Sequence, residues 1–558
     1  MMKKTLPLIL VFTLTFGLYN PVSIAAPYGS EKPKLILMIV IDQFRADYLT
    51  RFKKLFKPAH GANGEVGGFE YLTTEGAYYP FAEYDILQSM TGPGHATTLT
   101  GAYPYQMGIP VNDWYDVKIK DRVYCAEDRN IQQVGGTPAD VHVGTSPKNL
   151  LATTFGDELK NAGYPSRVYS VALKDRAAIM MGGHRADLAL WFDAKAFQWV
   201  SSQYYLPDNK LPEWITKMNA GITAKKGTNV KWEIQGEGSG LSLADPMMVH
   251  DAYNDAAGTQ FPHVQPIGTK GSLNMPYGLE ITEAAAEQMI EQYKLGNGKA
   301  TDVLAVSFSS HDYMGHAFGL NSREMEEMTV ADDQNISKLL NFVKKRVPGG
   351  LSNVVVVLTA DHGAPSNPDW LKKQKIDAGR IDEKDMTAAI EKRLENKFGK
   401  LGKDHWVASV QDFNFYLNLE AIAKKKLQLG DVENEAKLAL QDVQGVFHVV
   451  TSTDYNNRTL PPGMHERQIL KTYFPGRSGN LVVIPLPFYM SKYATVTHQT
   501  GYTYDRMVPV ILSGFHIKKG VHAEKAEVID IAPTLSFLTG TIAPSMSEGR
   551  VLSEAITP

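Results

Sequence analysis

The sequence predicts an α/β protein, a mostly parallel sheet with helices on both faces, and three observations carry that prediction. Four short runs are almost continuously apolar: Lys34 to Asp42, Val303 to Asp312, Asn353 to Asp361 and Val508 to Ser513. Segments of helical periodicity alternate with them. The chain of 558 residues is 43% apolar, enough to bury a large core.

Strands buried on both faces of a parallel sheet read as continuous apolar runs, because neither face meets water. The four runs fit that pattern. Helices are expected over Asn149 to Ala162, Ile281 to Leu295, Arg323 to Val347 and Glu527 to Leu538, and strands alternating with helices give a layered α/β domain. Two stretches are less regular, about 191–276 and 365–492. Both are expected to be insertions that pack over the sheet and shape a pocket within one catalytic domain spanning 26–558. Gly236 to Gly240 reads as a turn, since no strong strand precedes it.

The first 25 residues read as a signal peptide. Lys3 and Lys4 precede an apolar stretch from Leu6 to Leu18, and Ser23-Ile24-Ala25 offers a small-residue cleavage site. The expected location is therefore periplasmic or secreted, with no membrane span after cleavage. The net charge of −3 is small and excludes the electrostatic profile of a nucleic-acid binder. Cys125 is the only cysteine, so there is no intrachain disulfide and no multi-thiolate zinc site, and it is expected to be inert packing.

Asp42, Asp312 and Asp361 end three of the four apolar runs. Ligands of open α/β sheets bind outside the carboxyl ends of the strands, so the three carboxylates can share one crevice. His316 follows Asp312 by four residues, one helical turn, and His362 follows Asp361 directly. His498 stands far downstream. Carboxylate and imidazole donors together suit zinc. In Ser89-Met90-Thr91-Gly92-Pro93-Gly94-His95 the glycines and proline favour a tight turn into a helix starting near His95. The Thr91 hydroxyl there becomes a nucleophile only if a metal or base activates it.

Asp42-Gln43, the Thr91 to His95 turn, Asp312-x-x-x-His316, Asp361-His362-Gly363 and His498 occur in the order seen in the alkaline phosphatase superfamily. The chain most resembles its branch with a threonine nucleophile, the PafA type and related Sphingomonas-type enzymes. Asn112 to Tyr115, Lys174 to Ala178 and the Asp530 to Leu535 helix support the likeness, which spans roughly Lys34 to Gly540. The resemblance implies an alkaline-phosphatase-like three-layer α/β/α sandwich and two zinc ions per chain. Asp42, Asp361 and His362 resemble ligands of one zinc, which also binds Thr91. Asp312, His316 and His498 resemble ligands of the other. Asn112, Lys174 and Arg176 resemble the groups that hold phosphoryl oxygens, and if their segment is extended, Lys174 and Arg176 project from one face. The implied activity is alkaline phosphatase action on small phosphate monoesters through a phosphothreonine, with weaker diesterase action and a monomer as the expected state. Two other readings stand: a phosphodiesterase or nucleotide pyrophosphatase on the same scaffold, and a non-catalytic periplasmic phosphate-binding protein.

Overall fold

The computed structural model describes residues 31–136, 143–235 and 261–557. The expected signal peptide and the Gly236 to Gly240 turn lie outside the described residues. The sheet strands are β1 (Leu35–Ile41), β2 (Ala77–Tyr79), β3 (Glu127–Val134), β4 (Val143–Thr145), β5 (Val168–Ala172), β6 (Leu188–Asp193), β7 (Gln198–Ser202), β8 (Asp302–Phe308), β9 (Val354–Ala360), β10 (Val510–Gly514) and β11 (Gly520–Val521). They form one sheet in the order β11-β2-β10-β9-β1-β8-β5-β6-β7-β3-β4. The central strands β9, β1, β8, β5 and β6 are mutually parallel. Every residue of β1, β8 and β9 is buried, so both faces of the sheet are covered.

One strand runs against expectation. β10, the fourth apolar run, is antiparallel to both neighbours, β9 and β2. Continuous apolarity reports burial on two faces and carries no information on direction. The runs ending at Asp312 and Asp361 also divide differently: β8 stops at Phe308, and Asp312 lies in the first turn of a helix, whereas Asp361 does directly follow its strand.

The helices that matter for the site are α1 (Thr91–Thr100), α2 (Asp175–Gly182), α3 (Pro276–Tyr293), α4 (Ser310–Phe318) and α5 (Arg323–Arg346). α3 and α5 pack on each other. The expected helix at Asn149 is shorter, Phe155–Asn161, because Thr154 caps it: its side chain accepts from Asp157 N–H and Asp157 returns the bond. The helix expected from Glu527 begins as a 3₁₀ turn at Val528–Asp530 and is α-helical over Ile531–Thr539.

β6 and β7 carry the main sheet into the stretch expected to begin its insertion at 191. Within 365–492 a second, four-stranded sheet is built from Val407–Gln411, Asn414–Leu417, Leu481–Pro485 and Val446–Thr451. Its own core includes Met386, Ile390, Trp406, Phe413 and Phe415. Cys125 is fully buried in the main core, and burial pushes its thiol up, which keeps it protonated and inert.

Candidate metal and phosphate site

Strand register is what brings the site together. Ile41 pairs with Phe308 on one side and Ala360 on the other. The next residues, Asp42 and Asp361, therefore leave the sheet side by side, and α4 starts beside them. The Asp42, Asp312, Asp361 and His362 side chains are almost wholly buried, with His498 close behind. His316 Nε2 lies 3.1 Å from Asp312 Oδ1 and His498 Nε2 lies 3.7 Å from it. His362 Nε2 is 3.5 Å from Asp42 Oδ1 and 3.3 Å from Asp361 Oδ2. The His362 and His498 rings stack at 3.5 Å.

Each of these histidines has its Nδ1 against a backbone carbonyl: His316 with Val496 O (2.7 Å), His362 with Gly363 O (3.0 Å) and His498 with Ser89 O (2.7 Å). A carbonyl only accepts, so Nδ1 carries the proton and Nε2 keeps its lone pair for a cation. Burial also holds His498 well below the usual histidine range, with His362 and His316 adding to it, and His362 is lowered by burial too. The carboxylates are unequal. Burial, together with Asp361 and Asp312, pushes Asp42 well up despite Lys174. Burial opposes ionisation of Asp312, but His316 and Lys174 hold it well below its ordinary value.

A divalent metal fits this donor set. Asp42 Oδ1, Asp361 Oδ2 and His362 Nε2 are buried without a hydrogen-bond partner, a costly arrangement unless a cation satisfies them. Asp312, His362 and His498 are close enough to ligate one ion, and so are Asp42, His95 and Asp361. His95, however, is already engaged at both nitrogens, with Thr91 O at 2.9 Å and Ser307 Oγ at 2.8 Å. It braces the α1 entry and Asp361 from behind.

Thr91 is the first residue of α1, so the helix begins four residues before the expected start at His95. Pro93 falls in the first turn, where its missing N–H costs nothing. Gly94 permits the close approach: a Cβ there would sit 2.3 Å from the Asp361 carbonyl oxygen. Tyr84 OH lies between the carbonyls of Ala360 (2.9 Å) and Gly94 (3.1 Å), pinning the helix entry to the end of β9.

Around the Thr91 hydroxyl stand the three anion-binding candidates. Lys174 Nζ is 3.5 Å and Arg176 Nη2 is 3.4 Å from Thr91 Oγ1. Lys174 Nζ also meets Asp42 Oδ2 at 2.7 Å and Asp312 Oδ2 at 2.6 Å, and these carboxylates hold its pKa up against burial. The segment is not extended, as the alternation argument required. Lys174 is the N-cap of α2 and Arg176 lies in its first turn. Length of side chain, not strand alternation, lets both reach one oxygen. Asn112 Oδ1 accepts from Gly92 N–H at 2.7 Å, which leaves its Nδ2 group as a donor.

Several residues escaped the sequence reading. Gln43 has a left-handed backbone (φ 63°) and ties two candidate ligands together: its N–H donates to Asp361 Oδ1 (3.0 Å) and its Nε2 to Asp312 Oδ1 (2.8 Å). It sits beside Asp42 in sequence, but nothing in its type marks the role. Tyr124 donates to Asp175 Oδ1 at 2.6 Å and lies 3.4 Å from Arg176 Nη1, orienting the guanidinium. Only spatial proximity reveals it.

A hydroxyl flanked by two cations suits an anion, and the candidate ligand clusters beside it suit a metal; the combination fits a hydrolase of phosphate esters. Known proteins agree with that class. The family model described as type I phosphodiesterase / nucleotide pyrophosphatase matches residues 36–503. Alkaline phosphatase PafA of Elizabethkingia meningoseptica is 31% identical, over 94% of this chain and 95% of that protein. A Myroides odoratus protein named calcium-transporting ATPase is 32% identical over similar shares, 94% and 95%. The crystal structure of wild-type PafA superposes with a TM-score of 0.81 at 30% identity, covering 94% of this chain and 99% of that one. The chain belongs to the type I phosphodiesterase / nucleotide pyrophosphatase family, among its PafA-type alkaline phosphatases, and is a phosphomonoesterase.

Proposed function

We propose that this chain is an exported, zinc-dependent alkaline phosphatase that cleaves phosphate monoesters through a phosphothreonine at Thr91, with weaker action on diesters. The observation that carries the reading is the convergence of Lys174 Nζ and Arg176 Nη2 on Thr91 Oγ1 beside two buried carboxylate–histidine clusters. One zinc would be held by Asp42, Asp361, His362 and Thr91, and the other by Asp312, His316 and His498. When bound, the ions supply positive charge and lower the pKa of the hydroxyl and of water. Thr91 Oγ forms a bond to phosphorus while the bond from phosphorus to the alcohol oxygen breaks. Water then cleaves the phosphothreonine and releases phosphate. Lys174, Arg176 and Asn112 Nδ2 hold the non-bridging oxygens throughout. Arg176 Nε is buried without a hydrogen-bond partner, a donor that a phosphoryl oxygen would satisfy.

Charge supports monoesters over diesters. Three ligand carboxylates and a Thr91 alkoxide offset two divalent ions, so Lys174 and Arg176 match the double charge of a monoester dianion. The basic start and apolar run near Leu6 to Leu18 support export, and the second sheet within 365–492 supports a cap over the site. Among the described residues no helix is long and apolar enough to cross a membrane. The test is an acid quench of enzyme with a chromogenic monoester, followed by peptide mass spectrometry and elemental analysis. Phosphate on Thr91 and two zinc ions per chain are expected. Phosphate on another residue, or full activity in Thr91→Ala, overturns the assignment.

A further inference from the structure

Asp412 is the first of two residues joining Val407–Gln411 to Asn414–Leu417 in the second sheet, with Gln411 paired to Asn414. Both turn residues are left-handed, at φ 50° for Asp412 and 62° for Phe413. Turns of this kind favour glycine at the second position, so a phenylalanine there must be held. Its ring is buried in the second core, and its N–H donates to Glu383 Oε1 at 2.8 Å. The tip is thus fixed where it meets the catalytic domain. The Asp412 carbonyl accepts from Gln88 Nε2 at 2.8 Å, three residues before Thr91. Its Oδ1 accepts from Gln499 Nε2 at 2.9 Å, one residue after His498.

The buried side of the site offers an ester's organic group no exit, because Asp42, Asp361 and His362 are fully enclosed. Asn112, Asp113, Arg176, Asp412 and Gln499 are partly exposed, as are Tyr313 and His316, and Asp113 and Arg176 lie near enough to Asp412 for their charges to act on its carboxyl, which makes this group one open edge of the site. On that edge Asp113 is neutralised by Arg122, at 3.1 and 2.9 Å. Among the described residues Asp412 has no salt-bridge partner. We propose that Asp412 is a specificity-determining residue: its carboxylate repels leaving groups that carry their own negative charge and biases turnover toward monoesters of neutral or cationic alcohols. The proposal rests on the phosphomonoesterase activity and on Arg176 as a phosphoryl contact. Burial, with Asp113 and Glu383, raises the Asp412 carboxyl to about 7 against the pull of Arg122 and Arg176. Assays at about pH 9 therefore read it ionised.

The experiment compares kcat/KM for phenyl phosphate and 4-carboxyphenyl phosphate in the zinc-loaded enzyme. Asp412→Asn is expected to raise the carboxylated substrate relative to the neutral one by roughly three- to tenfold at low salt. Added salt should shrink the gain, and Asp412→Glu should restore the wild-type ratio. An unchanged ratio, or an equal loss on both esters, overturns the proposal and makes Asp412 a prop for Gln499. Absence of wild-type turnover of phenyl phosphate would strike the activity itself. In that event calorimetric affinities for phenylphosphonate and 4-carboxyphenylphosphonate give the same ratio without turnover, and equal ratios in wild type and Asp412→Asn again refute it.

Discussion

Gly315→Ala tests whether Gln43 sets the metal site. Gly315 lies in α4 between Asp312 and His316. A Cβ there would fall 1.7 Å from Gln43 Oε1 and 2.8 Å from its Cδ, closer than any packing allows. Gln43 Oε1 ends a flexible side chain, so the backbone can stay put while the amide swings away. The swing breaks the 2.8 Å bond from Gln43 Nε2 to Asp312 Oδ1. A hydrogen bond to a charged acceptor contributes about 1.5–3 kcal/mol, and losing an outer partner of a ligand typically costs about 10–100-fold in metal affinity. Helix propensity works the other way, since alanine in place of a helical glycine gains up to about 1 kcal/mol. Gly315→Ala should therefore lose a modest net stability of about 0.5–2 kcal/mol while zinc affinity falls by about 10–100-fold. Gln43→Ala removes the same bond and makes room for the new methyl group. The double variant should then resemble Gln43→Ala alone, a strong coupling in a double-mutant cycle. Competitive chelator titration and kcat/KM on a monoester measure it. Wild-type zinc affinity in Gly315→Ala, or additive losses in the double variant, would refute the reasoning.

Three further outcomes are expected. His498→Ala should cut zinc content to about one ion per chain, because His498 shares Asp312 with His316; retention of both ions shows that it is not a ligand. Replacing Lys174 and Arg176 together by Ala should lower monoester kcat/KM far more than diester kcat/KM, by about 1.5–3 kcal/mol for each charge-assisted bond lost, and equal losses on matched aryl esters would remove them from the phosphoryl contacts. Asp505 accepts from Thr500 N–H and Oγ1 (2.9 and 2.6 Å), and burial raises its carboxyl from 3.8 to about 8. The folded state thus holds this proton more tightly than the unfolded chain, and the stability it contributes is lost as pH rises from 3.8 through about 8. The melting temperature of Asp505→Asn should gain on wild type between about pH 5 and pH 9, and a constant difference across that range contradicts the burial argument.

The sequence by itself determined three of the five central strands, β1, β8 and β9, and most of the candidate chemistry near their ends; β5 and β6 were not read from it. Runs such as Lys34 to Asp42 are apolar throughout because both faces are covered, and that burial is written residue by residue. Asp42, Asp361 and His362 could be read because they stand at the end of such runs, and Asp312 with His316 because one helical turn separates them. The direction of Val510–Gly514 could not be read, since apolarity is the same for parallel and antiparallel neighbours. Lys174 and Arg176 were legible as charges, but their place on a helix cap depended on how α2 meets α1. Tertiary structure alone decided the contacts between distant segments: Gln43 bridging Asp312 and Asp361, Ser89 and Val496 fixing histidine tautomers, and Asp412 reaching Gln88 and Gln499. Local propensity acts over a few residues, whereas these bonds join positions 87 to 409 residues apart and exist only once the parallel register and the second sheet's docking have set the distances.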